Sequence, residues 1–295
     1  MSAVTRAANL TWGWGLATLR VKGFPIFSIS ILLGFGFLAI FAEVIAPHSP
    51  EIGSLGLRFK PPAWQQGGSM TFLLGTDHLG RDVLSRLIFG TRITVMVGFC
   101  AVVVAGVLGT LFGIISGYLG GWADQVIMRI TDTWLALPPL TFAIFLAAIV
   151  GPSEWNIVII LGLSFWTRYA RVIRSEVLSL KEREFVRLAI VAGLAKKTIM
   201  WKHILPNVLN TAIVLATLQL GIVIVTEAAL SFLGVGVPPP KPAWGLMLAD
   251  GKKGLMAGYW WLTVLPGCCI MFMVLSANLL GDWLRVKLDP QLRQL

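Results

Sequence analysis

The side chains that most often carry catalysis are sparse in this chain and lie far apart. His48, His78 and His203 are scattered, and none has a cysteine or carboxylate spaced from it as a metal site or a nucleophilic triad requires. Cys100, Cys268 and Cys269 fall inside apolar runs with no C-x-x-C, which suits packing and leads to no disulfide. The phosphate-cradling pattern G-x-x-x-x-G-K-[ST] is absent, and the one Gly-Lys pair, Gly251–Lys252, lacks its spacing. The chain is therefore expected not to be an enzyme and to hold no cofactor or metal of its own. Two features remain that can do recognition chemistry. One is the basic segment Glu184–Asn207, EFVRLAIVAGLAKKTIMWKHILPN; the other is Glu227, an acid deep in an apolar run.

The elements that must position them are membrane helices. The chain is 56% hydrophobic and 13% charged with a mean hydropathy of +0.80, far from a soluble domain, in which about a quarter of residues are charged. Its apolar runs are continuous rather than alternating, which excludes a β-barrel. A hydrocarbon core of about 30 Å needs ~20 apolar residues in a helix. Six runs answer that requirement: Phe24–Ala46, Ile93–Tyr118, Thr133–Val150, Trp155–Thr167, Ile204–Val237 and Gly254–Gly281. The fourth reaches spanning length when Arg168 and Arg171 extend their heads to the interface. The expected fold is all-α and polytopic, with about six transmembrane helices. Residues 1–23 form an N-terminal segment, 24–92 the first helix and an external loop, 93–282 a core of five helices containing a loop at 174–207, and 283–295 a tail. The first run is too long for a signal-peptide core and no A-x-A site closes it, so it is expected to stay as an anchor.

With the N-terminus cytoplasmic, sixteen of the 24 Lys and Arg residues fall inside, nine of them between Arg168 and Lys202. This places both termini in the cytoplasm by the positive-inside rule. The net charge of +10 is explained by that bias together with anionic lipid headgroups, and no nucleic-acid partner is expected.

Several polar residues lie at membrane depth. Glu227 either lines a solute path or clamps neighbouring helices, since a buried acid is costly and faces a cavity or a partner. Asp132 is placed to pair with Arg129 at i−3; Gln219 and Asn278 can hydrogen-bond across helices. Pro138-Pro139 and Pro266 are expected to interrupt helices and free carbonyls. The basic loop reads as helix, turn, helix. Lys181–Ala192 contains no Gly or Pro, Gly193 can take the left-handed conformation that ends a helix, and Pro206 is expected to block continuation. Ala189, Ala192 and Gly193 keep the turn small. The segment either receives another protein's surface or lies on anionic lipid. Outside, Gly75 and Gly80 form turns, Thr76 or Asp77 is a capping candidate for a helix starting near Arg81, and Trp244 after Pro238–Pro242 is an interface anchor.

Four stretches in order carry a family resemblance: LLGTDHLGRDVLSRLIFGTRITVMVG at Leu73–Gly98, GYLGGWADQVIMRITDTWLALP at Gly117–Pro138, LSFLGVGVPPPKPAWGLMLADG at Leu230–Gly251 and NLLGDWLRVKLDP at Asn278–Pro290. They resemble the dipeptide, oligopeptide and nickel class of ABC-importer permeases, nearest to its C-type, second transmembrane subunit. The resemblance runs from about Phe24 to the C-terminus. The family's cytoplasmic loop reads EAA, three residues, Gly, nine residues, Ile-x-Leu-Pro. Here Arg187, Leu188 and Ala189 occupy the EAA positions, Gly193 the glycine, and His203, Leu205 and Pro206 the rest, so Arg187 replaces the Glu and His203 the Ile.

The resemblance implies a type I ABC-importer architecture in the bacterial inner membrane. It also implies a complex with a homologous second permease, two ATPase subunits that hold the ATP and Mg, and a periplasmic or lipid-anchored solute-binding protein. The loop at Glu184–Pro206 would dock in an ATPase groove. Gly75, Thr76, Asp77, Gly80, Arg81 and Asp82 would face the binding protein or cap the helix bundle. The expected solute is a di- or oligopeptide, with nickel second. An ion-coupled carrier is the alternative from another class, but it would show more intramembrane charges and duplicated halves.

Overall fold

In lipid every backbone N–H and C=O must be bonded within the chain, so long apolar segments fold as helices. The computed structural model describes residues 25–288, and among them there is no β-strand. Eleven α-helices follow one another: α1 Ile26–Ile40, α2 Ala42–Ile45, α3 Val83–Leu119, α4 Gly121–Leu135, α5 Pro139–Val150, α6 Glu154–Lys181, α7 Glu184–Val191, α8 Lys196–Ile199, α9 Leu205–Phe232, α10 Trp244–Leu255 and α11 Trp261–Leu288. A 3-10 turn, Leu55–Leu57, lies in the first loop, and a π-helical turn, Met200–Ile204, joins α8 to α9.

Four helical stretches are long and apolar enough to cross a bilayer: α3, α6, Lys196–Phe232 and α11. The expected third span, Thr133–Val150, is instead a bent pair, α4 and α5, meeting at 91°. Pro138 is the cause, because it disfavours helical backbone at the residue before it and cannot donate to the preceding turn. The first run is also divided, with a bend at Phe41 between α1 and α2. Gly254 belongs to α10, so the last span starts at Trp261 rather than at Gly254. Pro266 does not interrupt it but sits inside α11.

The centre of the bundle is the α3–α6 pair. Gly109, Gly113 and Gly117 line the contact, and a Cβ at Gly109 would stand 2.3 Å from the Trp166 carbonyl. Small residues at this spacing let two backbones approach and gain van der Waals contact, which matters in lipid because apolar burial drives little association there. Ala101, Ala105, Leu161, Phe165 and Tyr169 fill the core around that seam, and Val223 and Leu230 of α9 close it.

Candidate functional site

The Glu184–Asn207 loop is built around two buried anchors. Val186 and Ala189 of α7 pack on Ile199, Ile204 and Val208. To reach them the chain turns at Glu182–Arg183, where Arg183 is extended, so the expected unbroken helix Lys181–Ala192 is two helices. Tertiary packing overrides local propensity here. Gly193 does take the left-handed conformation, φ +74°. Its N–H donates to Ile190 O at 3.0 Å and that of Leu194 to Ala189 O at 3.1 Å, the paired bonds of a Schellman end.

Pro206 does not block continuation. The π-helical turn just before it, with Leu205 N–H on Met200 O, adds a residue to the turn and accommodates the proline in one 37-residue stretch, Lys196–Phe232. The Asn207 amide then donates to His203 O at 2.6 Å. Leu205 packs beside the anchors. Glu184 is exposed in the first turn of α7, where a carboxylate complements the helix dipole, and exposed Arg187 pairs with Glu182.

Of the small residues expected at a partner's surface, Ala189 is only 6% exposed and faces inward. The outward side of the loop is apolar instead: Leu188 is 60% and Val191 85% exposed, with Phe185 and Leu194 beside them. Their spacing of three is visible in the sequence and is the signal that marks them.

On the opposite side of the bundle, all six external-loop residues are buried, so they shape the loop from within and present no surface. Thr76 Oγ1 donates to Leu57 O at 2.5 Å and accepts from Lys60 N–H at 2.9 Å. Neither Thr76 nor Asp77 caps the helix. Asp82 does, accepting from Ser85 N–H at 2.9 Å, and α3 begins at Val83. Asp77 instead holds Arg81 at 2.6 Å and Arg86 at 3.5 Å, and Asp250 of α10 reaches the same two arginines at 3.4 and 3.9 Å. This network ties the loop to α10 across 169 residues between Arg81 and Asp250, a separation that no local sequence pattern signals. Gly75 and Gly80 have positive φ and are packed against backbone, a Cβ at Gly80 falling 2.0 Å from Ser54 O. Trp244 is not an interface anchor; it is fully buried, and its indole donates to Leu87 O at 3.0 Å.

Within the bundle, Glu227 is 1% exposed. Its Oε1 accepts from Ser231 Oγ at 2.8 Å, and that hydroxyl accepts from Val237 N–H at 3.2 Å. Asp132 pairs with Arg171 of α6 at 2.5 Å rather than with Arg129, because α6 lies alongside α4 and brings the guanidinium to it. One turn further, Asp124 receives Arg174 at 2.5 and 2.6 Å in a bidentate pair and also accepts from Ser116. Gln219 bridges α9 to α6, donating to Phe165 O at 3.5 Å and accepting from Arg168 at 3.4 Å. Asn278 stands against Gly221, where a Cβ would meet its Oδ1 at 2.8 Å. Pro138 is exposed at the α4–α5 break. A cavity of about 590 Å³ lies between α3 and α9, lined by Val103, Val107, Leu209 and Ile213 among others. Its apolar walls suit packing rather than a hydrated path.

The structure is thus a polytopic helical membrane bundle with an anchored loop whose outer face is apolar. Residues 109–294 match the family described as the inner membrane component of binding-protein-dependent transport systems. The chain is 45% identical over 258 residues to the dipeptide transport system permease protein DppC of Escherichia coli, covering 88% of this chain and 86% of the relative. It is 41% identical over 257 residues to the di/tripeptide permease DppC of Pseudomonas aeruginosa, covering 87% and 84%. It is 36% identical over 256 residues to the glutathione permease GsiD of Pectobacterium atrosepticum, covering 87% and 83%. The chain belongs to the binding-protein-dependent ABC transport permeases, in their dipeptide/oligopeptide class and of the second-subunit type. It is a multi-pass inner-membrane permease and not an enzyme.

Proposed function

We propose that this permease forms half of the translocation path of an ATP-driven importer for di- or oligopeptides, pairing with a homologous permease and served by a solute-binding protein. Two ATPase subunits hold the ATP and Mg, and the Glu184–Pro206 loop transmits their motion. The observation that carries the coupling is the division of α7. Val186 and Ala189 lock the helix to the bundle while Phe185, Leu188, Val191 and Leu194 are left uncovered. An anchored helix with an apolar outer face fits a groove on a protein partner. A peptide is favoured over nickel because the relatives cited above carry dipeptide, di/tripeptide and glutathione in their names.

Both termini are cytoplasmic in this reading, which puts α7 on the ATPase side. The test is ATPase recovered per permease pulled down from membranes, with uptake of a labelled dipeptide. Leu188→Asp and Val191→Asp change only exposed positions, so the permease inserts normally. Recovery and uptake should both fall about tenfold or more, because an unpaired charge buried at an interface costs several kcal/mol. Wild-type recovery in both variants would refute docking through α7.

A further inference from the structure

Three arginines, Arg168, Arg171 and Arg174, follow one another along α6 at a spacing of three. Two are answered by carboxylates of α4, Arg171 by Asp132 and Arg174 by Asp124. Arg168 has no ion pair among the described residues. Its neighbours are the Gln219 carbonyl at 3.4 Å and the ring of Phe165, whose centroid lies 5.8 Å from its Cζ. The side chain is exposed while the residues on either side of it, Thr167 and Tyr169, are buried.

Its depth makes that exposure costly. The stretch Trp166–Ala170 packs against Gly109 of α3. Gly109 stands about 14 Å along the helix from Tyr118 and about 24 Å from Ile93, the ends of α3's charge-free run. Arg168 therefore sits level with the interior of that run, about two and a half turns from its nearer end, and only a full extension of its side chain toward that end would bring its head near the interface. A charge at this depth faces a partner or a hydrated cavity.

The α4–α5 break follows Trp134, which is tied to α6 about one and a half turns from Arg168. The Trp134 indole donates to Leu163 O at 2.7 Å, and Ala136, Leu137 and Pro138 are exposed beyond it. Non-helical backbone at membrane depth is tolerated where it is covered by protein or lines water. An exposed guanidinium on α6 and an exposed backbone break at the end of α4, two helices that pack together, point to a polar path along this pair.

We propose that Arg168 is the point inside the translocation path where a carboxylate of the solute is held during passage. The proposal rests on the peptide-importer reading above. A guanidinium presents paired donors that match a carboxylate, and a free peptide carries one at its C-terminus. Gln219, itself buried and fixed by its bond to Phe165 O, orients the guanidinium without neutralising it, so the charge stays available. The same chemistry offers a second source, a carboxylate of the partner permease, and the test separates the two.

The assay uses the assembled complex of both permeases, ATPases and binding protein in proteoliposomes, with labelled dialanine as probe. Arg168→Gln should lower uptake by about tenfold or more while recovery of the second permease and binding-protein-stimulated ATP hydrolysis stay within about twofold of wild type; Arg168→Lys, which keeps the charge but not the fork, should fall between. Uptake by Arg168→Gln within about twofold of wild type overturns the assignment. Loss of the second permease from Arg168→Gln complexes also overturns it, assigning the carboxylate to the partner. A wild-type complex that hydrolyses ATP but takes up no dialanine overturns the peptide reading itself.

Discussion

The amide of Leu194 donates to the carbonyl of Ala189 at 3.1 Å, and that bond sets how α7 is presented. It closes the helix end over Gly193, turns the chain back towards the bundle, and leaves Val191 as the most exposed apolar side chain of the loop. Ala189, which lies beneath the bond, is a structural anchor; the outward apolar face of α7 is made by its neighbours.

Gly193 has φ +74° and open space around its Cα, with nothing within 4 Å of the position a methyl group would take. A β-branched residue there meets no clash but incurs about 1–2 kcal/mol of backbone strain. Gly193→Val should therefore loosen the helix end and reduce ATPase recovery severalfold at normal permease levels, while Gly193→Asn, which tolerates the left-handed region, should stay near wild type. Equal recovery for Val and wild type would show that the turn is not needed for docking.

Ala189→Glu tests the anchor and behaves differently from the surface variants of α7. It forces a charge among Ile199, Ile204 and Val208, where an uncompensated buried charge costs several kcal/mol. The expected result is a loop that becomes protease-sensitive in inside-out vesicles, followed by loss of ATPase. A protease-resistant loop with normal ATPase recovery would mean that α7 is not anchored through this residue.

The Asp124–Arg174 pair joins α4 to α6 with two short bonds, and Ser116 of α3 adds a third. Charge-assisted bonds of this kind contribute about 1.5–3 kcal/mol when one partner is removed. Asp124→Asn should lower the unfolding midpoint of the purified protein in detergent, and Arg174→Lys, with Asp124 intact, should lower it too because an ammonium cannot make the bidentate contact. A double variant Asp124→Asn with Arg174→Gln should lose less than the sum of the two single changes; strict additivity would show the pair to be uncoupled.

The membrane character and order of the spans are legible in the sequence because apolar length is a one-dimensional property, and the Gly193 turn is legible because few residues adopt its backbone. The bend at Pro138 is half legible: the proline is plain, but its neighbours are as apolar as any spanning run, so the break falls inside what reads as a single helix. Partner choice is hidden. Asp132 has Arg129 at helical spacing, yet Arg171 lies 39 residues away and reaches it through the α4–α6 packing. The external-loop residues are recognisable as special but not as interior, because turn-forming glycines and polar residues look alike in a buried network and on a surface. Asp250 closes that network from a stretch with no local signal.

Glu227 reads as a clamp on the loop after α9. Its Oε1 takes the Ser231 hydroxyl, which in turn accepts Val237 N–H, and it forms no ion pair among the described residues. Glu227→Gln keeps shape and acceptor, so complex assembly and most peptide uptake should survive. Glu227→Leu removes the acceptor and should lower the unfolding midpoint. Reduced uptake by an intact Glu227→Gln complex would instead place the carboxylate in the path.

Orientation decides which face of the bundle meets the ATPases. Lys196 opens α8 in the basic loop and Lys252 lies near the end of α10, and both are exposed. The topology expected from the sequence puts sixteen Lys and Arg on the Lys196 side against eight on the other, which favours that side for the cytoplasm. With the native cysteines replaced, a single cysteine at position 252 should react with an impermeant maleimide in spheroplasts, and one at position 196 only after the membrane is opened. The inverse pattern would put α7 outside, where no ATPase can reach it, and would remove the basis for coupling through this loop even if the peptide assignment stood.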